Sequence, residues 1–144
     1  MAQVEIRIPN RRDKMSEVGA MVESFVQAQG GSRETVHDLA VVVDEVLNNI
    51  IAYGYGPGEI GDILVRVAAL DGRIIVDIED SGHPFDPLTA PAPDLAAPLR
   101  ERKVGGLGIL FVRDLMDDVA YERVAGLNRL RLSKRLPITP PTPG

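Results

Sequence analysis

Val4, Ile6 and Ile8 alternate with Gln3, Glu5 and Arg7. That period of two predicts a half-buried strand, which Pro9 ends. The spacing then changes. Met15, Val18, Met21, Val22, Phe25 and Val26 recur at helical intervals, predicting a helix from Arg11 to Gln29 that Gly30-Gly31 stops. Ser32 is placed to cap a second helix, with Glu34 in its first turn and a body from Thr35 to Tyr53. Val36, Leu39, Ala40, Val43, Val46, Leu47, Ile50 and Ile51 give that helix a wide apolar stripe. Gly54, Gly56, Pro57, Gly58 and Gly61 mark a loop. Two β-rich runs follow, Ile63 to Leu70 and Arg73 to Glu79, and Asp71-Gly72 between them is a strong hairpin signal. Leu107 to Met116 reads as a short helix entered through Gly105-Gly106. Val119 to Val124 and Leu127 to Leu136 read as a second hairpin around Ala125-Gly126.

Between the first hairpin and the short helix, Ser81 to Val104 carries Pro84, Pro87, Pro91, Pro93 and Pro98. So many prolines exclude a long regular element, and a loop of that length in a small domain is usually functional or disordered. The tail, 137–144, is proline-rich and expected to be mobile and outside the fold. Hairpins dominate the order of elements. The expected fold is therefore α+β: a two-layer α/β sandwich with a mostly antiparallel sheet and helices on one face, formed by residues 1–136 as one domain.

Composition narrows the chemistry. The chain has 144 residues, 44% hydrophobic and 26% charged, as in ordinary globular domains. It lacks cysteine, which excludes disulfides and thiolate metal sites, and two histidines leave little for a histidine metal site. A net charge of −5 without a basic stripe argues against direct nucleic-acid binding. There is no apolar run of signal or membrane length, so the expected location is cytoplasmic.

Three clusters carry candidate chemistry. On the second helix, Glu45 and Asn49 lie four residues apart and share a face, beside a second such pair, Asp44 and Asn48. Asn and Asp are poor helix-interior residues. An amide oxygen is a hard ligand suited to Mg²⁺, and a neighbouring carboxylate can orient or deprotonate an attacking hydroxyl. The same pair would also suit a solvated helix edge. At a strand end, Asp80-Ser81-Gly82 offers an acceptor for an exocyclic amine and a glycine that admits a ring closely, with Phe85 able to cover an apolar edge. It is equally the composition of a plain turn. Finally, Gly105-Gly106-Leu107-Gly108 brings bare N–H groups to a helix start, a phosphate-binding arrangement, with Arg102 and Lys103 just upstream. A flexible hinge would look the same.

Taken in order, Glu45-x-x-x-Asn49, Asp80-x-Gly82 and Gly106-x-Gly108 resemble the Bergerat ATP-binding fold of gyrase and histidine kinases. Within it, the chain is most similar to the stand-alone anti-sigma-factor serine kinases. The stretches that carry this are 44–55, 79–86 and 105–119, and the likeness runs from about Val4 to Leu136. The resemblance implies an ATP-dependent protein serine/threonine kinase with ATP and Mg²⁺ as cofactors. Glu45 would be the general base and Asn49 the Mg²⁺ ligand. Asp80 and Gly82, with Phe85, would hold the adenine. Lys103, Gly105, Gly106, Leu107 and Gly108 would frame the phosphates under a lid at about 86–104. It further implies an anti-anti-sigma (STAS-type) protein as substrate, sequestration of a sigma factor, and a homodimer. Assigning Asp44 and Asn48 instead would require rotating the helix by roughly 100°. One departure stands out: Val104 occupies the position before the glycine box where the family often has a basic residue. It motivates an alternative, a non-catalytic nucleotide-binding regulator acting by sequestration. A detached histidine-kinase catalytic domain is a third reading.

Overall fold

A computed structural model describes residues 2–87 and 108–137. The glycine-box residues Lys103, Gly105, Gly106 and Leu107, nearly all of the expected lid, and residues 138–144 of the tail lie outside the described residues. The elements are β1 (Ala2–Pro9), α1 (Met15–Ala28), α2 (Arg33–Tyr53), β2 (Asp62–Leu70), β3 (Arg73–Asp80), α3 (Gly108–Leu115), β4 (Asp118–Val124) and β5 (Leu127–Arg135). The strands form one sheet in the order β1-β2-β3-β5-β4, and every pairing is antiparallel.

Register explains how the two layers form. Ile8 pairs with Ile63, which pairs with Asp80, which pairs with Asn128. Counting by twos from that row places Ile6, Val65, Ile78 and Leu130 on one face, then Val4, Val67, Val76 and Leu132. Most of these side chains are buried, together with Val18, Val22 and Val26 of α1 and Leu39, Val43, Val46 and Ile50 of α2. Period-2 strands and period-3.6 helices thus close one core, as the alternation predicts. Burying a side chain of this size contributes about 1.5–3 kcal/mol. The other face of the sheet is a polar ladder of direct cross-strand neighbours: Glu5 with Arg66, Asp77 with Arg131, and Glu79 with Arg129, which also reaches Glu122. Such half-exposed pairs are worth little individually, but they keep that face from burying a second layer.

Helix boundaries follow local chemistry. The Ser32 hydroxyl accepts from the Thr35 N–H at 3.1 Å and caps α2 as expected. The first helix begins later than its apolar spacing suggests, after a 3-10 turn at Arg12–Lys14. The reason is Asn10: its backbone N–H and side chain are bonded to the loop at Glu59 and Gly61, so the chain must turn before it can coil. Lys134 ties α3 down, donating to the Leu115 carbonyl at 2.6 Å and lying 3.9 Å from Asp38 of α2. A cation there complements the helix C-terminus. Among the described residues no helix is long and apolar enough to cross a membrane.

Both hairpins turn through left-handed residue pairs, Asp71 (φ 52°) with Gly72 (φ 75°) and Ala125 (φ 53°) with Gly126 (φ 80°). Asp tolerates this region; Ala does not. Ala125→Gly should therefore raise stability by about 0.5–1 kcal/mol. A rise of about 2–4 °C in Tm by scanning calorimetry is the expected reading.

Candidate functional site

The site is organised where the end of β3 meets the end of α2. Asp80 is the last residue of β3 and continues the inward row Ile74, Val76, Ile78, so a carboxylate occupies an apolar row. It is 4% exposed. Its Oδ1 accepts from the Gly82 N–H at 2.9 Å and from Asn128 Nδ2 at 3.0 Å. Burial pushes the Asp80 carboxyl up, while Asn128, the Gly82 N–H and Arg123 pull it back.

The following segment doubles back along α2. The His83 N–H donates to the Gly54 carbonyl at 2.9 Å, just past the helix end. A Cβ on Gly82 would lie 2.3 Å from that same carbonyl oxygen, so glycine is required there by the protein's own backbone. At the adjacent residue, the Phe85 ring sits 5.7 Å from Tyr53, centroid to centroid, tilted by 48°. Lower still, Asn49 Nδ2 donates to the Pro87 carbonyl at 3.4 Å. The strap 81–87 thus joins the strand-end carboxylate to the polar positions of α2.

On α2 the two candidate pairs differ in surroundings. Asn49 is 2% exposed and Glu45 is half-buried, while Asp44 faces solvent and Asn48 is half-buried. Glu45 Oε1 is buried and has no hydrogen-bond partner among the described residues. Desolvation raises the Glu45 carboxyl above its ordinary value, Asn49 opposes this by hydrogen bonding, and nearby Asp44 adds to it. Asn49 Nδ2 is engaged by the Pro87 carbonyl, and the Oδ1 of such an amide is a hard oxygen donor. That donor set fits Mg²⁺, which takes few protein ligands and completes its shell with water and phosphate oxygen. No group of three or more His, Asp or Glu residues able to hold a metal exists among the described residues.

Of the other expected site residues, Gly108 opens α3, and Val112 and Met116 anchor that helix in the core. The residues at 103 and 105–107 lie outside the described residues. Three residues escaped sequence reasoning: Asn128, Tyr121 and Arg123. Asn128 is buried and bonds both Asp80 and the strap, and Tyr121 and Arg123 of β4 donate to it. A signal was present, since Asn128 breaks the inward alternation that Leu130 and Leu132 continue. His83 also gains a role: its Nε2 lies 2.9 Å from Glu59, linking the strap to the loop after α2.

A family model described as the histidine kinase-like ATPase domain matches residues 8–134. The serine/threonine-protein kinase BtrW of Bordetella bronchiseptica is 33% identical over 95 residues, covering 66% of this chain and 67% of BtrW. The serine-protein kinase RsbW of Oceanobacillus iheyensis is 26% identical over 130 residues, covering 86% of this chain and 81% of RsbW. The solved RsbU and RsbW domains of Rv1364c from Mycobacterium tuberculosis match with a TM-score of 0.68 at 17% identity. That match takes in 94% of this chain and 33% of the other, so this chain spans about a third of that structure.

The Gly82–Gly54 contact is open to test. Gly82→Ala must push the strap off the end of α2, and a loss of about 1–3 kcal/mol in urea unfolding is expected. A variant as stable as the parent would show that the strap can move without cost.

Proposed function

Because the chain belongs to the histidine kinase-like ATPase domain family, in its anti-sigma-factor kinase branch, we propose that it is an ATP-dependent protein serine/threonine kinase acting on an anti-anti-sigma (STAS-type) partner. The family implies ATP binding. The observation that carries the catalytic reading is Glu45 Oε1, a buried carboxylate oxygen without a partner among the described residues, one helical turn from Asn49. Leaving such an atom unsatisfied costs free energy. A protein keeps it where a reacting hydroxyl will supply the missing hydrogen bond.

On this reading the roles divide among the three clusters. The remaining oxygen of Asp80 accepts the amino group of adenine, and the strap lines the base with Phe85. Asn49 would offer its carbonyl oxygen to Mg²⁺. Bound Mg²⁺ would neutralise phosphate charge. Gly105, Gly106, Leu107 and Gly108 bind phosphate through backbone N–H groups, with Lys103 adding charge. Glu45 takes the proton of the partner's serine hydroxyl as that oxygen attacks the terminal phosphorus; the bond from that phosphorus to the bridging oxygen breaks, and ADP leaves with the electron pair. BtrW and RsbW are named as serine kinases, which supports this reading. Capture of a sigma factor and homodimerisation belong to the same proposal and rest on the family alone.

A second reading has its own observation. Val104 stands immediately before the glycine box, and the nearest cations, Lys103 and Arg102, lie further back. A chain without positive charge at that place suits a non-catalytic nucleotide-binding regulator that works by sequestration. Transfer of labelled phosphate from ATP to a serine of a STAS-type partner eliminates it; tight ATP binding with no transfer to any such partner establishes it.

Two outcomes are expected of the kinase. Calorimetry should find Mg-ATP and Mg-ADP binding, weakened about tenfold or more by Asp80→Asn; a well-folded parent that binds neither would remove the nucleotide site. Glu45→Gln should lower phosphotransfer by about 10²–10⁴-fold while ATP still binds. Since desolvation raises the Glu45 carboxyl, the base is protonated sooner as pH falls. The acid limb of the rate therefore lies above that of an ordinary glutamate and disappears in the variant; an unchanged rate or limb reassigns the base.

A further inference from the structure

Among the described residues, Asn128 is the most heavily bonded side chain near the strand-end carboxylate. Its Nδ2 donates to Asp80 Oδ1 at 3.0 Å and to the His83 carbonyl at 2.7 Å. Its Oδ1 accepts from Tyr121 Oη, from Arg123 Nη1 at 3.2 Å and from the Phe85 N–H at 3.2 Å. An amide has two N–H donors and two acceptor lone pairs, so both ends are filled. No atom of Asn128 is left for a nucleotide. Arg123 closes the arrangement by donating to the Gly82 carbonyl at 2.9 Å. Three separate pieces of chain therefore meet at one amide: the end of β3, the strap and the β4–β5 hairpin.

The consequence falls on Asp80. A lone carboxylate rotates and presents either oxygen, or both. Here the Gly82 N–H and Asn128 Nδ2 both hold Oδ1, which leaves Oδ2 as the acceptor with a fixed direction. An acceptor in a fixed place favours a base with an exocyclic amine and disfavours a keto oxygen, which would meet it oxygen to oxygen. The specificity of the turn thus depends on a residue that does not touch the base.

We propose that Asn128 is a positioning residue that locks the Asp80 carboxylate, through Tyr121 and Arg123, into the one orientation that reads an amino-bearing purine. This rests on the nucleotide-binding reading above and deepens it. The charged and titratable groups that face the amide, Asp80 or Tyr121 are Arg123 from β4, Tyr55 after α2, and Asp86 in the strap; His83 of the strap meets the amide through its carbonyl while its ring bonds Glu59.

The isosteric Asn128→Asp tests it. That change keeps the acceptor oxygen but replaces the donor toward Asp80 with a second carboxylate oxygen. At about pH 8 the two carboxylates repel, and ADP should bind about tenfold or more weakly by calorimetry. At about pH 6 a shared proton restores a donor, and the deficit relative to the parent should shrink to about threefold. Parent-like ADP affinity at the higher pH, or the same deficit at both, overturns the proposal. A second readout needs no nucleotide. Carbon-13 NMR should show the Asp80 carboxyl titrating at higher pH in Asn128→Ala than in the parent, because the ionised form loses a donor. An unmoved midpoint overturns the lock. A moved midpoint in a protein that binds no ADP upholds the lock and sinks the nucleotide reading instead. If both Asn128 variants fail to fold, Tyr121→Phe decides: it removes one donor to the amide, and unchanged ADP affinity together with an unchanged Asp80 midpoint overturns the proposal.

Discussion

The site depends on one close approach, that of the Gly82 turn to the Gly54 carbonyl at the end of α2. The His83 N–H satisfies that carbonyl, and the absent Cβ of Gly82 lets the two backbones meet. A helix end leaves carbonyls unpaired; here one of them becomes the anchor for a functional strap. Once the strap is fixed at Gly54, its length sets the rest. Phe85 falls beside Tyr53, next to Gly54, and Pro87 beside Asn49, one turn further back along α2. The backbone contact at Gly54, the ring contact at Tyr53 and the Asn49–Pro87 hydrogen bond together join the strand end to the polar helix positions.

Two buried polar groups in this region are treated in opposite ways. Asn128 has every donor and acceptor filled by protein, whereas Glu45 keeps a buried oxygen unfilled among the described residues. Saturation makes a group rigid, because any movement breaks several bonds in a low-dielectric surround. An unfilled oxygen does the reverse: it stays ready for a partner that arrives from outside. On the proposed reading, the rigid group serves recognition of the base and the unfilled oxygen serves the reaction. Desolvation raises both carboxyls, Asp80 and Glu45, but only Asp80 has two strong donors to hold its charge.

The scaffold separates these roles from stability. The core is built mainly from Val, Ile and Leu of four strands and three helices, and the polar ladder lies on the opposite face of the sheet. Lys134 fastens the C-terminal end of α3 to α2, and Val112 seats that helix in the core.

Much of this was determined by sequence alone. Alternation in Val4–Ile8, Ile63–Leu70 and Arg73–Glu79, helical spacing in α1 and α2, the Ser32 cap and the two glycine-bearing hairpin turns specify an antiparallel sheet under helices, because each is a local property of a few neighbouring residues. The order of Glu45-x-x-x-Asn49, Asp80-x-Gly82 and Gly106-x-Gly108 was likewise readable, and family membership followed it. Tertiary structure decided what depends on residues far apart in the chain. Gly82 needs its missing Cβ for Gly54, 28 positions earlier, and Asn128 bonds Asp80, 48 positions away. His83 meets Glu59 across a loop. No local pattern encodes such pairs: they arise only when the sheet register sets Asp80 opposite Asn128 and the strap lies down on α2, and only then do single polar residues become a site.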